Sequence, residues 1–135
     1  MIVVCATDDL IHFADDHFGD AKYYQLYEIT DKYIQKLEEI DNTANIEYEV
    51  HKHKAINVLK LFHGKNIDAM VNTAFGKNIT VIIEHTVPIL PKELVIEKGL
   101  NLIKESLNEI EEIMASKTKF YLRISENNGV MTYEL

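Results

Sequence analysis

A loop of acidic and histidine side chains is the first place where this chain could do chemistry. Between Asp8 and Ala21 the sequence holds several aspartates, two histidines and a glycine, with no sustained hydrophobic period. An imidazole nitrogen can ligate a metal, and a glycine lets the chain turn sharply beside it. His17, followed by Phe18 and Gly19, is therefore the candidate metal ligand. The alternative is structural, since His17 could cap the loop while Phe18 fills the core.

A second segment follows a different apolar run. Phe75-Gly76-Lys77-Asn78 lies at a predicted strand-to-helix turn, where backbone N–H groups can bind an anion or the sulfides of a cluster. A turn also needs a glycine for its conformation alone. Both segments follow strands that should be adjacent, so we expect His17 and this turn to face one crevice at the carboxyl ends of the parallel strands.

Three other groups are weaker candidates. The acids from Asp8 to Asp16 could hold Mg²⁺ only if carboxylates converged from several strands, but the next parallel strand ends in Asn72-Thr73. Cys5 lies inside a predicted buried strand and should be inert. His51 and His53 are about 200° apart on a helix, so they share a metal only if that segment is extended.

The apolar patterns predict an α/β fold with the order β-ββ-α-β-α-β-α, followed by an extra C-terminal β-hairpin. A continuous apolar run predicts a central strand buried on both faces, and a three-and-four apolar spacing predicts helices. In chain order the main predicted elements are the strand Ile2–Ala6, the hairpin Lys22–Ile40, the helix Glu49–His63, the strands Ile67–Val71 and Val87–Pro91, the helix Glu97–Ala115 and the ribbon Lys119–Leu135.

Length and composition restrict the function. The 135 residues fit one domain, 1–135, with 118–135 as a C-terminal hairpin extension turning at Asn128-Gly129. A net charge of −8 argues against nucleic acid as a partner. No apolar stretch approaches about 20 residues, which argues against a membrane span. The single cysteine leaves no intramolecular disulfide, so a reducing cytoplasm is the expected location.

Several motifs resemble one known family, that of dinitrogenase iron-molybdenum cofactor biosynthesis. The resemblance covers roughly residues 1–110 and rests on Ala6-Thr7-Asp8-Asp9, His17-Phe18-Gly19, the aromatic strand Tyr23–Ile29, the His-bearing helix from His51 to His63, the strand Ile67–Val71, Phe75-Gly76-Lys77-Asn78-Ile79 and Val87-Pro88-Ile89. It implies a ribonuclease-H-like mixed sheet without nuclease activity, which holds iron-sulfur or iron-molybdenum cofactor precursors.

Three interpretations follow, in decreasing order of support. The first is a non-enzymatic carrier of an iron-sulfur or iron-molybdenum type cluster, with His17 as ligand, Gly76-Lys77-Asn78 as the opposite wall, and cluster donor or acceptor proteins as partners. The second is an interaction module that forms a homodimer through its acidic faces or terminal ribbon. The third is a metal-dependent phosphodiester hydrolase, for which the chain shows no nucleophile elbow or P-loop.

Overall fold

A mixed sheet with helices on both faces forms the framework of the protein. A computed structural model describes residues 1–45 and 51–135, and side-chain surroundings for 1–44 and 54–135. The strands are β1 (Ile2–Thr7), β2 (Tyr23–Ile29), β3 (Ile34–Asp41), β4 (Ala69–Val71), β5 (Val87–Pro91), β6 (Phe120–Ser125) and β7 (Gly129–Glu134). The helices are α1 (His51–Lys60), α2 (Ile79–Ile82), α3 (Ile96–Glu105) and α4 (Leu107–Ser116).

The strand order confirms the α/β class and the interior position of β1. In the described residues seven strands form one sheet with the order β3-β2-β1-β4-β5-β6-β7. β1 pairs antiparallel with β2 and parallel with β4, and β4, β5 and β6 continue in parallel. The carboxyl ends of β1, β4, β5 and β6 therefore lie along one edge of the sheet, which is where open α/β sheets bind ligands.

Side-chain alternation along β1 separates two cores. Val3 and Cys5 face the core that contains Ile103 of α3, whereas Val4 and Ala6 face the core that contains Val58 of α1. Successive residues of a strand point to opposite faces, so a strand covered on both sides is apolar throughout. This explains the unbroken apolar run at the start of the sequence.

The long C-terminal helix predicted over Glu97–Ala115 is wrong as a single element. Its backbone breaks at Ser106 (φ −111°, ψ 20°), where α3 ends and α4 begins. The Ser106 N–H divides its hydrogen bond between the carbonyls of Leu102 and Ile103, at 3.3 and 3.2 Å. Because the break keeps the helical phase, the apolar stripe continues across it, and Ile103 and Ile110 are both fully buried.

The hairpin expected over 118–135 is joined to the main sheet. β6 pairs in parallel with β5 from Leu122 to Ile124, and β7 turns back antiparallel to β6. Phe120, Leu122 and Ile124 are buried in the core under α3 and α4. Among the helices described, none is long and apolar enough to cross a membrane.

Candidate functional site

Hydrogen bonds among its own residues shape the first half of the loop after β1. The Thr7 hydroxyl donates to the carbonyl of His12 at 2.6 Å. Asp9 accepts the N–H groups of Ile11 and His12 at 2.9 and 2.7 Å, and its second oxygen lies 2.6 Å from Nδ1 of His12. These hydrogen bonds hold the pKa of Asp9 well below its usual range. Asp9 and His12 therefore shape the loop.

The second half of the loop is anchored by the ring of Phe18. This ring is fully buried and stacks on Phe75, with centroids 5.1 Å apart and planes 10° apart. The N–H of Phe18 donates to the carbonyl of Ala74 at 2.9 Å, and the hydroxyl of Tyr24 donates to the Phe18 carbonyl at 2.8 Å. Phe18 and Phe75 thus lie in the core and position the loops on which they sit.

Gly19 is fixed from two sides. The amide of Asn42 donates to the carbonyls of Gly19 and Ala21 at 3.0 and 2.8 Å. A Cβ at Gly19 would lie 3.0 Å from Nδ2 of Asn78, so the loop packs directly on this asparagine. Asn78 is buried, and within the described chain its Oδ1 has no hydrogen-bond partner. Gly19 and Asn78 are therefore a packing contact beneath the loop.

His17 lies against Gly76, as the adjacency of β1 and β4 predicts. A Cβ at Gly76 would lie 2.5 Å from Nδ1 of His17 and 2.7 Å from its Cγ and Cε1. Gly76 also has a φ of +64°, which side-chain-bearing residues rarely adopt. Two separate features therefore require glycine at position 76: the left-handed backbone conformation and the close approach of the imidazole of His17.

Two carboxylates accompany the imidazole. Nδ1 of His17 is 3.9 Å from an oxygen of Asp16 and 3.9 Å from an oxygen of Asp20, and the side chain of His17 is 50% exposed. Possible ligand atoms of these three residues all lie within 4.8 Å of one another. In the described part of the chain this is the one group of three or more side chains that could hold a metal ion. Asp20 also pairs with Lys54, whose pKa is lowered by burial against the opposing effect of Asp16.

Asn72 is a residue of this site that the sequence analysis missed. It follows β4 directly and is fully buried. Its Nδ2 donates to the carbonyls of Asp16 and Ala74 at 3.0 and 2.9 Å, which ties the loop after β1 to the end of β4. Within the described residues its Oδ1 has no partner. A polar residue directly after a buried strand was the signal that could have identified it.

The turn over residues 75–78 differs from an anion-binding helix start. Gly76–Asn78 is one 3₁₀ turn that leads into α2, which has only four residues, so little macrodipole is available to attract an anion. The side chain of Lys77 is exposed. Of the predicted site residues, His17 and Lys77 are the ones whose side chains reach solvent.

The weaker candidates do not join this site. Asp8 accepts the N–H of Lys22 at 2.9 Å, and within the described residues the acids Asp8, Asp9 and Asp15 belong to no cluster of three possible metal ligands. Cys5 is buried, and burial raises the pKa of its thiol well above its usual range. The side chains of His51 and His53 lie outside the described part of the chain.

Comparison with known proteins adds a family-level match. The sequence model of a family described as dinitrogenase iron-molybdenum cofactor matches residues 1–117. The matched region includes the loop of His17 and the turn of Gly76, and it ends just before β6. No curated protein matches the chain.

Proposed function

The chain belongs to the dinitrogenase iron-molybdenum cofactor family, and from this premise we propose that it is a non-enzymatic carrier of a metal cluster. The cargo is a cofactor or precursor of the iron-sulfur or iron-molybdenum type, held on the loop after β1. The observation that carries the proposal is the imidazole of His17, half exposed on a loop that Phe18, Asn42 and Asn72 hold in place.

The orientation of the ring selects its ligand atom. The Nδ1 edge packs against Gly76 and faces Asp16 and Asp20, so Nε2 on the opposite side is the nitrogen left to bind a metal. Metal-bound histidines typically donate their other ring N–H to a carboxylate. Asp16 and Asp20 stand beside Nδ1 of His17 at 3.9 Å, so a small movement on binding would complete such a contact. A single protein ligand at an exposed position suits a cargo that must be handed on.

The same geometry argues against a small divalent ion held by all three residues. Asp20 already pairs with Lys54, and a cation bound between Asp16 and Asp20 would have to compete with that ammonium group. The packing of Nδ1 against Gly76 leaves little room on that side of the ring. The cluster carrier is therefore the function that this arrangement supports best.

We also propose that the protein has no hydrolase activity. A metal-dependent nuclease needs carboxylates that converge on its metal ions, whereas Asp8 and Asp9 are engaged by backbone N–H groups of their own loop and of Lys22. A ribonuclease-H-like framework is part of the proposal. It is supported by the antiparallel β1, β2 and β3 beside the parallel β4 and β5.

Donor and acceptor proteins of the cluster are the proposed partners, in the cytoplasm. Since one histidine cannot satisfy a cluster, its other ligands must come from the cargo itself, from a partner or from a second copy of the chain. Sedimentation of the full chain with and without bound cargo distinguishes a homodimer that shares the site from a monomer that meets a partner.

Anaerobic loading tests the carrier function. The full chain is incubated with iron and sulfide under anaerobic conditions, freed of excess reagent, and assayed for bound metal and visible absorption. His17→Ala should reduce cluster binding at least about tenfold, and because its side chain is half exposed the melting temperature should barely change. His63→Ala is the matched control at an exposed position after α1 and should bind as the parent does.

Two outcomes contradict the proposal. Equal cluster binding by the parent and by His17→Ala would show that the imidazole is not the ligand. A parallel loss of cluster binding and melting temperature would show that His17 has a structural role in the loop.

A further inference from the structure

A cavity lies on the same edge of the sheet as His17 and is separate from the site of His17. It has a volume of about 640 Å³, within the range of roughly 300–1,000 Å³ typical of small-molecule sites. Its walls are Thr73 after β4, the segment Leu90–Leu94 at the end of β5, and the hairpin of β6 and β7. The cavity therefore lies at the carboxyl ends of parallel strands, where ligands of α/β sheets bind.

The hairpin wall lies outside the part of the chain that matches the family. It lies beyond residue 117, where the match to the family ends, and it contributes Arg123, Met131 and Tyr133 to the lining. Met131 is directly opposite Arg123 in the register of β6 and β7. The family match therefore does not account for this cavity.

The cavity lining carries more positive than negative side chains, although the whole protein is acidic. The chain carries a net charge of −8, and Arg123 is its single arginine. Arg123 and Lys92 line the cavity together with one acid, Glu93. Within the described part of the chain, no carboxylate oxygen lies within 4.0 Å of the side-chain nitrogens of Arg123 or Lys92. These two cations without a carboxylate partner give the cavity a local positive charge that can attract an anion.

Two aromatic rings lie beside the guanidinium of Arg123. Tyr121 and Tyr133 stack with centroids 5.2 Å apart and planes 16° apart. The Cζ of Arg123 lies 5.9 Å from the centroid of Tyr121 and 5.8 Å from that of Tyr133, within reach of a cation–π interaction. A guanidinium oriented in this way presents a planar fork of donors, which matches the geometry of phosphate and carboxylate groups.

The remaining lining suits a flat apolar group. Leu90, Leu94, Met131 and the ring of Tyr133 share the cavity with the two cations, and Leu94 and Met131 are among the exposed large apolar residues of the protein. Aromatic and thioether side chains pack well against planar rings.

We propose that this cavity binds a planar anionic small molecule of the nucleotide kind. Its heteroaromatic ring would lie against Tyr133 and Met131, and its phosphate would contact Arg123 and Lys92. This site is independent of His17 and is a ligand site additional to that of the proposed carrier function.

Calorimetric titration of the full chain with three probes tests the proposal. AMP carries both the ring and the phosphate, adenosine only the ring, and inorganic phosphate only the anion. AMP should bind more tightly than either of the others. Arg123→Gln should weaken AMP binding by about tenfold or more, the usual effect of losing a hydrogen bond to a charged group. Lys98→Gln removes one positive charge from the exposed surface of α3 and should leave AMP binding unchanged.

A second variant outside β6 is needed because Arg123→Gln could weaken AMP binding by disturbing the fold of that strand. Leu94→Glu places a negative charge at a position that is 70% exposed, so the protein should fold normally while AMP binding is lost. The proposal is overturned if AMP binds no more tightly than phosphate or than adenosine, or if it does not bind at all. It is also overturned if Arg123→Gln and Lys98→Gln have equal effects on AMP.

Discussion

The contact between His17 and Gly76 leads to the sharpest prediction about the proposed cluster site. Gly76→Ala adds one methyl group, which would lie 2.5 Å from Nδ1 of His17. The ring of His17 is half exposed and can rotate toward solvent. It would then leave the position between Asp16 and Asp20. We therefore expect Gly76→Ala to displace the imidazole of His17, the proposed metal ligand, while leaving the histidine itself in the chain.

Two contributions set the expected loss of stability. A left-handed φ costs a residue with a side chain about 1–2 kcal/mol, and Gly76 has a φ of +64°. Forcing the His17 side chain from its rotamer adds about 0.5–1.5 kcal/mol. The free energy of unfolding should therefore fall by about 1.5–3.5 kcal/mol for Gly76→Ala.

The chain offers two matched controls. Gly64 and Gly129 have φ values of +77° and +61°, and a Cβ at either position would have no neighbouring atom within 4 Å. Alanine at these positions should cause the backbone penalty alone, about 1–2 kcal/mol. The difference between Gly76→Ala and these controls therefore isolates the effect on His17.

Urea unfolding and anaerobic cluster loading of the three variants check this reasoning. Gly76→Ala should lose cluster binding, whereas the two controls should retain it. If all three variants lose the same stability and bind the cluster equally well, the packing of His17 on Gly76 is unimportant and the argument is refuted.

Two further predictions concern packing and pH. In α3, helix propensity alone predicts that Gly99→Ala raises the free energy of unfolding by about 1 kcal/mol. However, the new Cβ would lie 2.6 Å from the buried ring of Phe13, so we expect urea unfolding to show a loss of about 1–3 kcal/mol. A gain in stability would show that this contact is unimportant. The N–H groups of His12 and Ile11 hold the pKa of Asp9 low. The ionised carboxylate of Asp9 therefore stabilises the fold fully above the ordinary aspartate pKa of about 4. This stabilisation is lost as the pH falls through the lowered pKa of the folded state. The stability difference between the parent and Asp9→Asn should therefore shrink on acidification, and a difference that stays constant with pH would contradict this.

The sequence was sufficient for the elements whose patterns are local. The apolar run of Ile2–Ala6 predicted a strand buried on both faces, and β1 has helices on both sides. The hairpin of Lys22–Ile40 and the strand of Val87–Pro91 were also predicted correctly. Periodicity identifies such elements because the spacing of apolar residues along the chain follows which faces of the element are buried.

The candidate site was predictable in part for a similar reason. Residues that follow adjacent parallel strands must meet at one edge of the sheet, which is why His17 and Gly76 were expected together. The core role of Phe18 stayed open, since an apolar residue in a loop looks the same whether it is buried or binds a ligand. The stacking of Phe18 on Phe75 decided it.

Other features depended on contacts between distant segments. A helical stripe keeps its phase through a one-residue break, so the break at Ser106 was invisible in the pattern. The strand pairing between β5 and β6, which joins the C-terminal hairpin to the sheet, depends on register across a long crossover. The close approach of the His17 ring to Gly76, and the meeting of Arg123 with Lys92 in one cavity, exist only where separately predicted elements pack together. Local sequence determines which elements form, but their mutual packing determines which atoms meet.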